Sequence, residues 1–178
     1  APLADVPEFT SILTLFSNPL FGVLIGALLT GIIQSSSASV GILQALSITG
    51  CFTYSAVIPI IMGQNIGTCV TAILSCLSGN RNAKRTALVH LYFNIIGTII
   101  FLSLYYILNA IIHFSFSDMV AGPAGIALIH SIFNIFTTLI LLPFTKGLEK
   151  LSYLTLPLTS QEVEAAAKED RFQLLGSR

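Results

Sequence analysis

Four consecutive polar side chains, Gln34-Ser35-Ser36-Ser37, interrupt an otherwise apolar stretch at residues 19–50. Consecutive positions cover every face of a helix, so these four cannot all turn toward one neighbour. A second apolar stretch, residues 54–77, carries Gly63-Gln64-Asn65-Ile66-Gly67-Thr68 near its middle. Two glycines and an Asn oppose a continuous helix, and a broken span is expected there. Backbone polar groups freed by a break cost several kcal/mol in lipid, so breaks persist only where protein or a water-filled cavity receives them. Downstream of each break a half-helix starts, capped by Ser37 or Ser39 in the first case and by Asn65 or Thr68 in the second. Free N–H groups and serine hydroxyls at helix N-termini bind oxyanions, while the carbonyls that end the preceding halves, near Ile33 and Ile61, suit a hard cation such as Na+. A multiply charged anion held there needs compensation, yet the apolar stretches contain no Lys or Arg, so co-bound cations and symport follow. No Asp or Glu lies within a span to relay a proton, leaving His90 and His130 as the titratable groups, which favours Na+ over H+.

The elements that must position these residues are helices in a bilayer. The chain is 54% hydrophobic and 9% charged. Asp, Glu, Lys and Arg are absent between Glu8 and Arg81, between Arg85 and Asp118, and between Asp118 and Lys146. Each gap exceeds the roughly 20 apolar residues that cross a bilayer core. The fold class expected is all-α and polytopic: a re-entrant helical hairpin at residues 19–50, a broken transmembrane helix at 54–77, and two continuous transmembrane helices at 86–114 and 124–144. A short loop bearing Asp118, Gly122 and Pro123 joins the last two. Arg81, Lys84 and Arg85 cluster in one loop, and Lys146 and Lys150 follow the last span, which places both basic ends and the C-terminal tail in the cytoplasm. Three crossings after the hairpin invert whatever follows, so a second copy would insert upside down and complete a midplane site as an inverted repeat. Residues 1–150 form this membrane unit, and residues 151–178 a polar, helix-prone tail. Ala1-Pro2 begins the chain without Met or a basic n-region, the pattern of an excised fragment.

Zero formal net charge and the lack of a basic helix face argue against nucleic acid. Cys51, Cys69 and Cys76 lack metal-ligand spacing. Isolated Ser75, Ser103 and Thr137 are packing residues, and Arg81, Lys84 and Arg85 are most simply a topology signal. His90 and Asn94, echoed by His130 and Asn134, are one turn apart on one face and predict interhelical hydrogen bonds. An intramembrane serine hydrolase using Ser35 to Ser37 with either His lacks an acid to orient the His and a Gly-x-Ser-x-Gly elbow.

The runs Gly31-Ile32-Ile33-Gln34-Ser35-Ser36-Ser37-Ala38-Ser39-Val40-Gly41 and Gly63-Gln64-Asn65-Ile66-Gly67-Thr68-Cys69-Val70-Thr71-Ala72 resemble the two signature stretches of the sodium-dependent phosphate cotransporters of the type II class and their bacterial relatives. The similarity extends through Asn80-Arg81-Asn82-Ala83-Lys84-Arg85 and the two His/Asn pairs, over most of residues 18–150. Family members carry two such units in inverted orientation, and this chain resembles the second. The resemblance implies sodium-coupled symport of inorganic phosphate across the plasma membrane (the inner membrane of a bacterium), with no catalysis and no organic cofactor. It assigns phosphate to Gln34, Ser35, Ser36, Ser37, Asn65, Gly67 and Thr68, and Na+ to Gln34, Ser36, Gln64, Asn65, Thr68 and Thr71. Cys69 stands where some members have a second Thr, with Thr71 as the substitute. The implied partners are the lipid bilayer and a second inverted unit or a homodimer partner. In many bacterial members a cytoplasmic PhoU-like helical domain follows, and the tail stops just before it. Another anion, sulfate or a carboxylate, and a membrane module that does not transport are the alternatives.

Overall fold

The computed structural model describes residue 15 and residues 18–176, with side chains to residue 168. Asn18 opens the first helix, α1 (Pro19–Ile33): its side chain accepts from the Leu20 amide at 2.9 Å, and Pro19 follows as the first helical residue. The helix stops at Gln34, which adopts the left-handed conformation at φ 56° and donates its N–H to Thr30 O at 2.7 Å. Ser35 then caps α2 (Ser36–Ser47), its hydroxyl accepting from the Ala38 amide at 3.3 Å. Arms of 15 and 12 residues both fall short of the roughly 20 needed to cross, as a re-entrant hairpin requires. The cap is Ser35 rather than Ser37 or Ser39, because the left-handed Gln34 uses up the turn and lets the new helix begin at once.

α3 (Tyr54–Cys76) is continuous through Gly63, Asn65 and Thr68, so the expected break in the second apolar stretch does not occur. The glycines serve a different purpose. A Cβ on Gly63 would collide with the backbone of Val23, one on Gly26 would lie 2.9 Å from Gln64 N, and one on Gly67 would lie 2.7 Å from Thr30 Cβ. Gly22, Gly26 and Thr30 on α1 thus face Gly63 and Gly67 on α3, and small residues four apart let the two backbones touch. Burial along this seam outweighs the weak helix propensity of glycine. Asn65 and Thr68 consequently cap nothing, and the Ile61 carbonyl accepts from Asn65 Nδ2 at 2.9 Å instead of facing a cavity.

α4 (Arg81–Ile112) and α5 (Pro123–Leu141) are continuous, as expected, and Pro143 marks a 3-10 turn (Leu142–Phe144) before α6 (Thr145–Thr155). Three described runs, Tyr54–Cys76, Arg81–Ile112 and Pro123–Thr155, are long and apolar enough to cross a membrane. The chain is a multi-pass, all-helical membrane protein, with no β-strand among the described residues. α3 is central: 61% of its apolar window is buried inside the chain, against 17% for α4 and 22% for the last run. Val57, Ile60, Ile61 and Met62 of α3 pack with Leu43 of α2 and with Ile126 and Phe133 of α5. Phe101 of α4 meets Phe133 edge to face at 5.5 Å.

Each end of the bundle is tied. At one end the α2–α3 and α4–α5 connections pair: Tyr54 N donates to Met119 O at 3.1 Å and Ala121 N to Phe52 O at 2.8 Å. At the other, Arg85 is buried at 4% exposed and carries more than a topology signal. Its guanidinium donates to Glu162 (2.7 and 3.1 Å), to Leu156 O (3.0 Å) and to Pro157 O (3.0 Å), and it lies 4.5 Å from the Tyr153 ring centre. Glu162 also accepts from the Thr159 amide at 2.8 Å, while its own amide donates to the Thr159 hydroxyl at 3.3 Å. This reciprocal cap starts α7 (Ser160–Gly176), the helix expected in the polar tail, and pins it to the basic end of α4.

Candidate substrate and cation site in the hairpin and central helix

The contacts between α1 and α3 advance together along both helices: Gly22 meets Pro59, Gly26 meets Ile60, Gly67 meets Ala27 and Thr30, and Gly31 meets Val70. The two helices therefore run parallel, and the hairpin tip at Gln34 arrives past the level of Val70. That register carries the tip residues Gln34, Ser35, Ser36 and Ser37 to the C-terminal half of α3, the half that holds Thr68 and Thr71. Gln34, Ser35 and Ser37 are exposed, Ser36 is half-buried, Thr68 is half-buried and Thr71 is exposed. Each is a neutral oxygen or amide donor, and α2 adds the N-terminal end of a helix behind Ser35.

Below the tip lies a buried polar cluster. Thr30 of α1, Ser39 of α2 and Gln64 of α3 are all fully buried. Thr30 Oγ1 donates to Ser39 Oγ at 2.6 Å, and Gln64 Nε2 donates to Ser39 Oγ at 2.9 Å and Ser39 O at 3.0 Å. These bonds lock both hairpin arms onto α3. Sequence reasoning took Ser39 only as a cap and passed over Thr30. The signal was available, since Thr30 continues the Gly22, Gly26 spacing of four into the seam.

On its other side α3 is held by the two His/Asn turns. Asn134 Nδ2 of α5 donates to Asn65 Oδ1 at 3.2 Å and to its own His130 O at 2.8 Å. Asn94 Nδ2 of α4 donates to His90 O at 3.0 Å and reaches Cys69 Sγ at 3.4 Å, and the Cys69 thiol points to His90 O at 3.5 Å. In each pair the expected interhelical bond is made by the Asn side chain and not by the imidazole. Both ends of the Asn65 amide are engaged, its Oδ1 accepting from Asn134 and its Nδ2 donating to Ile61 O. Gly67 sits in the helix seam against Ala27, and the Thr68 hydroxyl donates to Asn65 O. His130 Nε2 lies 3.5 Å from Asn134 Nδ2.

With this geometry in hand, comparison with known proteins is informative. Residues 6–141 match the Na+/Pi-cotransporter family. An uncharacterized protein, YqeW of Bacillus subtilis, is 37% identical over 135 residues, 75% of this chain and 43% of YqeW. Human sodium-dependent phosphate transport protein 2B is 40% identical over 101 residues, 53% of this chain and 15% of that protein. Rat sodium-dependent phosphate transport protein 2A is 40% identical over 96 residues, 51% of this chain and 15% of that protein. The chain thus spans less than half the length of these relatives. No solved structure matches.

Proposed function

Because the chain belongs to the Na+/Pi-cotransporter family, we propose that it supplies half of the site of a sodium-coupled phosphate symporter in the plasma membrane. The observation that carries this reading is the hairpin: two arms too short to cross, folded at a left-handed Gln34, present a run of hydroxyls on the side of the C-terminal half of the central span. Serine hydroxyls and the N-terminus of α2 suit an oxyanion. In this reading phosphate is held by Gln34, Ser35, Ser36 and Ser37, with Asn65, Gly67 and Thr68 beside them. Na+ is held by Gln34, Ser36, Gln64, Asn65, Thr68 and Thr71, whose neutral oxygens suit a hard monovalent cation. Asn65 reaches a ligand by exchanging its bond to Asn134. Sodium supplies the charge that the anion needs in spans lacking Lys and Arg, and its gradient drives uptake. The protein carries its substrate unchanged.

Residues 1–150 are the membrane unit in this proposal, completed by a second inverted unit or by another copy of the chain. The tail at 151–178 lies in the cytoplasm and leads toward a PhoU-like domain. The test is radiolabelled phosphate uptake by the full-length natural protein in proteoliposomes, with an inward Na+ gradient or with K+ in its place. Uptake is expected to need Na+, to resist competition by sulfate, and to collapse in Ser36→Ala combined with Asn65→Ala. Sodium-independent uptake, or normal uptake by the double variant, refutes the mechanism; binding without turnover identifies a module that does not transport.

A further inference from the structure

Arg81 and Arg85, one turn apart at the start of α4, converge with Thr159 on a single carboxylate, that of Glu162. Three of the five Arg85 donors rest on neutral acceptors, Asn82 Oδ1, Leu156 O and Pro157 O, and the other two form a fork aimed at Glu162. Thr159 adds its amide at 2.8 Å and its hydroxyl at 3.1 Å, both to Glu162 Oε2. Arg81 Nε lies 3.5 Å from the same oxygen and is buried without a hydrogen-bond partner. Oε2 thus receives the Arg85, Thr159 amide and Thr159 hydroxyl bonds, while Oε1 receives a single one from Arg85. A carboxylate oxygen has about two acceptor sites, so the cradle offers more donors than the carboxylate accepts. Charge is mismatched in the same sense. Among the described residues Glu162 is the only carboxylate paired with either guanidinium, and two positive charges face one negative. Glu149 of α6 lines a cleft beside Arg85 but forms no ion pair with it.

We propose that Arg81, Arg85 and Thr159 form a phosphoryl-binding site, separate from the hairpin tip, in which the Glu162 carboxylate is the resident stand-in. A phosphoryl group carries roughly 1.5 to 2 negative charges and three strong acceptor oxygens. It balances two guanidinium groups and accepts the donors that Glu162 leaves crowded or unused. Arg85 presents the planar fork that holds phosphate through two parallel bonds. Thr159 stands at the N-terminal end of α7, where free N–H groups and the helix dipole favour an anion. Exchange needs no unfolding, because the Glu162 and Arg81 side chains remain 26% and 38% exposed. Glu162 swings into solvent while Asn82 and the Tyr153 ring keep Arg85 in place. The source of the ligand rests on the orientation proposed above: on the cytoplasmic side the phosphoryl group is either transported phosphate after its release or the phosphate of an anionic lipid headgroup.

The test is chemical rescue of Glu162→Gln in the full-length protein, in detergent with K+ as the only alkali cation so that a sodium-coupled tip stays empty. Without the carboxylate, hydrogen exchange across residues 156–163 is fast. Potassium phosphate replacing KCl at constant ionic strength should restore protection by taking the place of the carboxylate. Adding Arg81→Gln should raise the half-restoring phosphate concentration by about tenfold, the loss expected from one charged donor. Radiolabelled phosphate should bind Glu162→Gln at least about tenfold more tightly than the wild type, whose own carboxylate competes. Nanodiscs with phosphatidic acid replacing phosphatidylcholine, free of inorganic phosphate, form the second arm: restoration there alone assigns the phosphoryl group to lipid, and restoration by inorganic phosphate assigns it to transported product. Absence of restoration in both arms overturns the site. Where the Glu162→Gln tail stays protected, binding decides, and equal phosphate affinity in the wild type and the variant overturns the site. Rescue abolished by Ser36→Ala but not by Arg81→Gln puts the phosphate at the tip and overturns it too. Sodium-independent uptake, which refutes the symport reading, leaves a positive rescue standing.

Discussion

Adding one methyl group at Gly63 tests the seam on which the ligands proposed for the symport site depend. A Cβ at that position would contact Val23 O and lie 2.7 Å from Val23 C and 2.8 Å from Val23 Cα. All three are backbone atoms, and no rotamer change moves them aside. Carbon atoms rest about 3.5–4.0 Å apart, so α1 and α3 must separate by roughly 1 Å. That separation loosens the Gly26 and Gly67 contacts along the same face and lengthens the bonds that Gln64 makes to Ser39. Overpacking of this kind costs about 1–3 kcal/mol, and the backbone collision argues for the upper end. Alanine returns up to about 1 kcal/mol of helix propensity, leaving a net loss of about 2 kcal/mol. For a chain of this length that lowers Tm by about 4–8 °C. Gly41 in α2 supplies the control, because a Cβ there meets nothing within 4 Å. Gly41→Ala keeps the propensity gain and should raise Tm by about 2–4 °C. The assay is thermal unfolding in detergent followed by far-ultraviolet circular dichroism. A Gly63→Ala protein that melts at or above the wild-type temperature refutes the backbone-to-backbone seam.

Further outcomes follow from other contacts. The Arg85 hydrogen bond, aided by the Thr159 amide, holds the Glu162 carboxyl down to about 2 from an ordinary 4.5. A carboxyl depressed by folding stabilises above its unfolded value, so tail docking should be at full strength above pH 4.5 and fade as pH falls toward 2. Hydrogen exchange across residues 156–163 reads this, and Glu162→Gln should release the tail at neutral pH and flatten the pH dependence. Asn134→Ala strips the donor from Asn65 Oδ1 and should cost about 1–3 kcal/mol in thermal unfolding, unlike Ser131→Ala on an exposed face of the same helix. Gln34→Gly removes the strain of a left-handed side-chain-bearing residue, about 1 kcal/mol, and should raise Tm while weakening sodium-dependent uptake. Unchanged uptake would deny the Gln34 amide a ligand role.

The hairpin was legible because the run from Gln34 to Ser37 has no helical face to hide on, and the spans were legible because charge-free stretches of such length have few other fates. The tail helix was legible too, since residues 160–171 are polar and rich in helix formers, although the cap that Thr159 and Glu162 make was not read from the sequence. What sequence did not convey was the destination of each partner. Arg85 read as one basic residue among three, for nothing local announces a glutamate 77 positions away. Gly63 and Gly67 read as helix breakers because propensity scores a residue against solvent or an average neighbour. Their true neighbour is another helix carrying Gly22 and Gly26 at the same spacing, and in lipid a helix lacks the hydrophobic driving force that would reward large side chains at the contact. Two matched spacings of four, read together, point to a seam, whereas either one read alone points to a kink. The same lack of side chains explains why Thr30, Ser39 and Gln64 could meet at all. Helices separated by ordinary side chains would hold a Thr hydroxyl and a Gln amide too far from a common serine. The close approach of the backbones is therefore what creates the buried polar cluster, and a methyl group at Gly63 should disturb it one residue from Gln64, before it disturbs the tip.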